Sequence, residues 1–166
     1  MLDIGCVGKY LFRYRAAIAA VFLIVLILFA DPTSSAIGHL SVVIGIALRL
    51  WAAGYIGTDA RKSEFHADYI IRNGPYKSLK HPIYIGNFFL VLGVIFLFNP
   101  PQWLGILYML AFIIIYTTIV LSERRFLKNK VVKQMSYRIR NLKGEISTLL
   151  VMLIVYAVWF VLLVAV

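Results

Sequence analysis

Between residues 73 and 87 the chain places Tyr76, His81 and Tyr84 among Gly74, Pro75, Pro82 and Gly86. Gly74-Pro75 is a turn signal. Pro82 lacks an amide and presets φ, which suits the first turn of a helix. His81 then falls near that helix's N-cap, with Tyr84 and Gly86 in its first two turns. Gly86 has no side chain, so another backbone or a flat ligand can come close. The open amides of a helix start favour anionic groups such as a carboxylate. The segment can therefore build a polar, anion-tolerant pocket. The same residues also suit a structural role, with His81 as an interfacial cap, Tyr76 and Tyr84 as aromatic-belt residues and Gly86 as a helix-packing contact.

Two charged residues outside this stretch stand out. Arg49 lies inside an apolar run. An arginine at membrane depth costs at least about 2.5–3.5 kcal/mol on insertion scales, so it takes a partner or a wet cavity, or it snorkels to the interface. Glu123 is the first charge after another apolar run, at the same end of its span as His81. It is a candidate partner for Arg49, and equally a solvated partner for the basic residues beside it. His39 and His66 read as interfacial. Asp59, Glu64 and Asp68 form no recognisable metal box, so no metal is expected. The single cysteine, Cys6, excludes an internal disulfide.

The elements that must position these residues are membrane spans. Of 166 residues, 62% are apolar, and the mean hydropathy is +0.88. A soluble domain of this size has too much surface to hide so many apolar groups. Five stretches fit the roughly 20 residues needed to cross a bilayer: 11–30, 37–56, 83–98, 103–121 and 146–166. The expected fold is an all-α polytopic membrane bundle, one domain over 1–166. The net charge of +10 sits between these runs, in a basic N-terminus and in segments 57–81 and 122–145. That placement favours anionic lipid headgroups and disfavours nucleic acid as a partner. The turns after the first and third spans carry no Lys or Arg. The positive-inside rule then gives an N-in, C-out topology with the two long segments cytoplasmic. Loops of that length are uncommon unless functional. Phe65, Tyr69, Ile70 and Ile71 suggest an amphipathic piece lying at the interface.

Residues 74–87, GPYKSLKHPIYIGN, resemble the GPYxxxRHPxYxG signature of the isoprenylcysteine carboxyl methyltransferase and phospholipid methyltransferase superfamily. Asn99-Pro100 is similar to the NP turn of the isoprenylcysteine branch, and Leu48-Arg49 to the LR feature upstream in such proteins. The resemblance covers residues 48–127. Lys80 replaces the usual arginine, which keeps the charge but not the bidentate fork. The resemblance implies an enzyme using S-adenosylmethionine and releasing S-adenosylhomocysteine. It implies that Tyr76, His81, Pro82, Tyr84, Gly86 and Glu123 line the cofactor site on the cytoplasmic face. Arg49 and Glu123 then become catalytic candidates, Arg49 through an acceptor carboxylate or Glu123 itself. The acceptor is a membrane-resident lipophile, either isoprenylcysteine-like or phospholipid-like. The membrane is the cell membrane of a prokaryote or the endoplasmic reticulum of a eukaryote. The later family motif EExxLxxxFGxxYxxY is matched at Glu123 and Leu127, while Arg124, Val131, Val132, Met135 and Arg138 depart from it. A fifth span stands where the family has a polar tail. These departures keep open a non-catalytic membrane scaffold, and the HPxY-type stretch, similar to one in some membrane sterol reductases, keeps open a nicotinamide-dependent membrane reductase.

Overall fold

A computed structural model describes residues 4–56, 69–127 and 130–165. Asp59, Arg61, Lys62, Glu64, Phe65, His66, Asp68 and Lys128 lie outside them. The described chain runs α1 (Ile4–Leu28), α2 (Ala36–Ile56), β1 (Tyr69–Ile71), α3 (Pro75–Ser78), α4 (Pro82–Phe98), α5 (Gln102–Leu127), β2 (Val131–Lys133), a 3₁₀ segment (Ile139–Glu145) and α6 (Ile146–Ala165). Helices α1, α2, α5 and α6 are long and apolar enough to cross a membrane. Helix α4 is shorter, at 17 residues, which at 1.5 Å per residue still covers about 25 Å. Ile24, Val43, Ile106, Ile114, Ile154 and Val161 point outward and exposed. Apolar surface this extensive needs lipid to cover it. The chain is an all-α polytopic membrane protein.

Two turns end the bundle at its neutral pole. Asp31 and Thr33 donate backbone amides to Phe98 and Leu97 carbonyls, both at 2.9 Å. Asn99 takes the left-handed conformation that closes α4, at φ 43°, a geometry asparagine tolerates better than most residues. Trp159 on α6 donates its indole N–H toward the Leu97 carbonyl at 3.0 Å. His39, expected at an interface, lies at this pole with Nδ1 3.1 Å from the Tyr156 hydroxyl.

Helices α2 and α4 run antiparallel and very close, because glycine faces glycine at two levels. A Cβ on Gly45 would stand 2.9 Å from the Gly86 carbonyl, and one on Gly93 would stand 2.8 Å from the Gly38 carbonyl. The two levels are seven residues apart on each helix, which is two turns. Small residues let membrane helices approach without a hydrophobic drive between them. Around this seam, Leu26, Val42, Leu90, Leu97, Phe98, Met152 and Trp159 form the buried core.

The opposite, basic pole carries the Arg13–Arg15 end of α1 and everything from β1 to α4 and from the end of α5 to α6. Helix α5 continues to Leu127, past the expected span end at 121. The described part of the expected amphipathic piece is strand β1, which pairs in parallel with β2, Ile70 opposite Val132. The segment after β2 folds back over α2. Met135 donates its amide to Asn73 Oδ1 at 3.1 Å, and the Asn73 side-chain amide donates to the Met135 carbonyl. Arg138 donates its amide to the Gly54 carbonyl at 2.9 Å.

Candidate active site

Pro82 is the first residue of α4 and His81 its N-cap, as the turn chemistry of residues 74–82 predicts. One helical turn separates His81 from Tyr84, and their rings stack at 5.6 Å with planes 7° apart. Helix α5 brings Glu123 to the same place, with Oε2 3.4 Å from His81 Nδ1. Tyr84 in turn meets the Tyr116 ring edge-on at 5.3 Å. The expected meeting of His81 and Glu123 at one end of the bundle is therefore observed.

Arg49 does not pair with Glu123. Its Nε donates to Glu145 Oε2 at 2.8 Å, and Nη2 lies 2.7 Å from the same oxygen. Nη2 also donates to Thr148 Oγ1 at 3.0 Å, and Nη1 donates to Asn87 Oδ1. The two charged side chains are 11% and 1% exposed, so Arg49 is locked in place rather than snorkelling. Asn87 passes the chain on, donating Nδ2 to the Tyr116 hydroxyl at 2.9 Å. Gly86 faces α2, where a Cβ would come within 2.6 Å of Arg49 Cγ. Its visible role is to let Arg49 pass. Pro82 is fully buried and sets the helix start.

Tyr76, on the one-turn helix α3, lies beside both acidic groups. Burial first, then the fields of Glu123 and Glu145, push its phenol well above the ordinary tyrosine range, with Arg49 opposing. Tyr76 is therefore a neutral donor. Two buried polar atoms of this region, Tyr76 Oη and Glu145 Oε1, have no hydrogen-bond partner, and Glu123 Oε2 has the His81 ring at 3.4 Å. Leaving one such group unpaired costs about 1–3 kcal/mol, more for a charged one. Two such atoms beside the Glu123 carboxylate describe a site that a polar ligand completes.

Beside this cluster a cavity of about 520 Å³ opens between α1, α4, α5 and α6. Arg49, Tyr84, Asn87 and Tyr116 line its polar end, and Leu90, Val94, Met152 and Val155 line its depth. Polar, ligand-hungry atoms thus adjoin an apolar slot at one membrane pole.

Asn87, Tyr116, Glu145 and Thr148 escaped the reading of the sequence. Glu145 had a signal: it is the acid that immediately precedes an apolar span, at the pole where Arg49 needs a counterion. The departures from the later family motif fall away from this cluster. Arg124, Val131, Val132 and Arg138 are exposed, and Met135 contributes its backbone to the Asn73 clip.

A membrane bundle of this kind, with a polar cluster opening into a lipophilic slot, suits a protein that joins a water-soluble compound to a lipid-borne one. The model of the phospholipid methyltransferase family matches residues 33–133, and the chain belongs to that family. It is also similar to the cobalt-zinc-cadmium resistance protein CzcN of Cupriavidus metallidurans, with 31% identity over 97 residues. That alignment covers 58% of this chain and 42% of the relative, so the chain spans less than half of that relative's length. No solved structure matches. The family match runs from α2 to β2 and includes Arg49, Tyr76, His81, Glu123 and Asn87. It leaves out Glu145 and Thr148, the partners that hold Arg49 from the other side.

Proposed function

We propose that this protein transfers a methyl group from S-adenosylmethionine to a lipophilic acceptor within the membrane. The observation that carries this is the pair of unpartnered buried atoms, Tyr76 Oη and Glu145 Oε1, with the Glu123–His81 contact, beside an apolar cavity. The residues fit the cofactor. Two carboxylates can accept from ribose hydroxyls or an ammonium, and neutral Tyr76 can donate to a carboxylate. Bound there, the sulfonium supplies an electrophilic methyl group. The chain's own work is then to hold, orient and desolvate. His81 orients Glu123 from one side and Arg49 orients Glu145 from the other. The walls of the cavity exclude water and align the acceptor. Glu123 is the direct cofactor contact in this reading, and Arg49 is a positioning residue for Glu145 as well as a wall of the acceptor cavity.

By the positive-inside rule we place the basic pole in the cytoplasm, with the N-terminus inside and α6 ending outside. Arg13, Arg124, Arg125 and the basic residues of the 3₁₀ segment then face anionic headgroups. Among the described residues no group of three or more His, Cys, Asp and Glu could hold a metal ion.

Calorimetry of the full chain in nanodiscs tests the reading. S-adenosylhomocysteine is expected to bind with micromolar affinity, and Glu123→Gln is expected to weaken it. Folded wild-type protein that takes up no S-adenosylhomocysteine, or binds it as tightly after Glu123→Gln and Tyr76→Phe combined, refutes the assignment.

A further inference from the structure

We propose that the neck of the intramembrane cavity is an oxyanion subsite, in which Asn87 and Arg49 turn the Tyr116 hydroxyl into a donor for the head of a long-chain carboxylate. Calling that carboxylate the methyl acceptor rests on the methyl-transfer reading. The existence of the subsite does not.

Hydrogen-bond direction fixes the donors at this neck. A guanidinium has only donors. Arg49 Nη1 faces Asn87, so the Asn87 amide must present Oδ1 to it. The Asn87 amine is then fixed on the other side, where it donates to the Tyr116 oxygen at 2.9 Å. Tyr116 is therefore an acceptor toward Asn87, and its own proton points elsewhere. Tyr116 and Asn87 both line the cavity. Arg49 offers a second donor. Of its five N–H groups, Nε and one on Nη2 go to Glu145, the other on Nη2 to Thr148, and one on Nη1 to Asn87. The remaining Nη1 hydrogen belongs to a side chain that also lines the cavity.

Charge agrees with direction. Arg13, Arg15 and Arg49 are the ionic side chains along the cavity, and no acid or histidine is among its described lining residues. Glu145 is not among those lining residues, and its Oε2 is held by Arg49. An ammonium head would bring only donors to a site of donors, against cationic neighbours. A carboxylate would meet both donors and bring the missing charge. Below the neck, Leu90, Val91, Val94, Val151 and Val155 offer an apolar channel. From Tyr84 to Val94 along α4 its length is about 15 Å at 1.5 Å per residue, which suits one hydrocarbon chain.

The test is equilibrium binding of tritiated hexadecanoate to the full chain in phosphatidylcholine nanodiscs, with hexadecanol and hexadecylamine as competitors. Hexadecanoate is expected to bind about tenfold or more tighter than the amine, the size of one charge-assisted hydrogen bond. Tyr116→Phe keeps the ring and removes the proton, and is expected to weaken hexadecanoate by about tenfold while leaving hexadecanol less affected. Asn87→Asp draws the Tyr116 proton back onto itself and adds a negative charge, so the preference is expected to shift toward the amine. Equal competition by amine and carboxylate in the wild type overturns the proposal. So does a Tyr116→Phe protein that melts like the wild type and binds hexadecanoate equally well. If Asn87→Asp fails to fold, the Tyr116→Phe comparison decides alone. S-adenosylhomocysteine binding is measured on the same samples. Its absence, with carboxylate preference intact, refutes methyl transfer and leaves the subsite standing. The reverse result refutes only the subsite.

Discussion

Arg49 and Glu145 form the pair on which the basic pole is built, and breaking it gives the sharpest test. At 2.7 Å, two unit charges attract by about 6 kcal/mol in a medium of effective dielectric 20. Desolvation of both groups consumes much of that gain, so the intact pair contributes little net stability. The loss of one partner is different. Glu145→Leu leaves a guanidinium with two neutral partners, Thr148 and Asn87, at a site that is 11% exposed. Arg49→Leu leaves a carboxylate that is 1% exposed with no counterion. Each single substitution is expected to cost about 3–5 kcal/mol. The double substitution removes both charges and leaves mainly the Asn87 oxygen unpaired, at about 1–3 kcal/mol. It is therefore expected to be more stable than either single variant. Equilibrium unfolding in mixed micelles, titrated with sodium dodecyl sulfate and read by tryptophan fluorescence, measures all four corners of the cycle. If the two effects add to within about 0.5 kcal/mol, the groups are not coupled and the reasoning fails.

The glycine seam and the phenol of Tyr76 give two further expectations. Gly86→Ala places a methyl 2.6 Å from Arg49 Cγ and 3.0 Å from the Gly45 carbonyl, and overpacking of this kind costs about 1–3 kcal/mol. Gly105→Ala meets only Ile95 Cγ2 at 3.3 Å and serves as the mild control, so equal melting temperatures for the two variants contradict the close α2–α4 approach. Tyr76 is held protonated by burial and by Glu123 and Glu145, whereas an unfolded tyrosine ionises near pH 10. Above about pH 10 the unfolded chain releases this proton and the folded chain keeps it, so this residue's contribution to stability falls as pH rises, by up to about 1.4 kcal/mol per unit. The stability of wild type relative to Tyr76→Phe is expected to fall between pH 9 and 11. A constant difference would remove Tyr76 from the buried acidic cluster.

What could be read from the sequence follows the range of the forces involved. Lipid imposes the spans, and each apolar run reports it locally, so four long helices and a shorter one fall where hydropathy puts them. Pro82 fixes a helix start by its own chemistry, so His81 could be placed at the N-cap without a fold. Glu123 could be brought to His81 because both stand at the same end of a span. Rotation about a helix axis is not local in this sense. Arg49 needed a partner, and Glu123 and Glu145 both lay at the right depth; only the packing of α2 against α4, set by Gly45 and Gly86, turns the guanidinium toward Glu145. Asn87 and Tyr116 were hidden for the same reason, since neither carries a charge whose burial demands an explanation. The pairing of strand β1 was not legible because its partner, β2, lies some sixty residues later, beyond any local pattern. The motif departures looked damaging as letters, yet in space Val131 and Val132 lie on an exposed strand and Met135 acts through its backbone. The residues the family match leaves out weigh more than those it finds altered. Glu145 and Thr148, next to and at the start of α6, hold Arg49, and through it Asn87 and Tyr116. The fifth span that set this chain apart from its family's pattern therefore supplies the anchor of its candidate site, and removing α6 with the 3₁₀ segment is expected to dismantle that site from within the family's own matched residues.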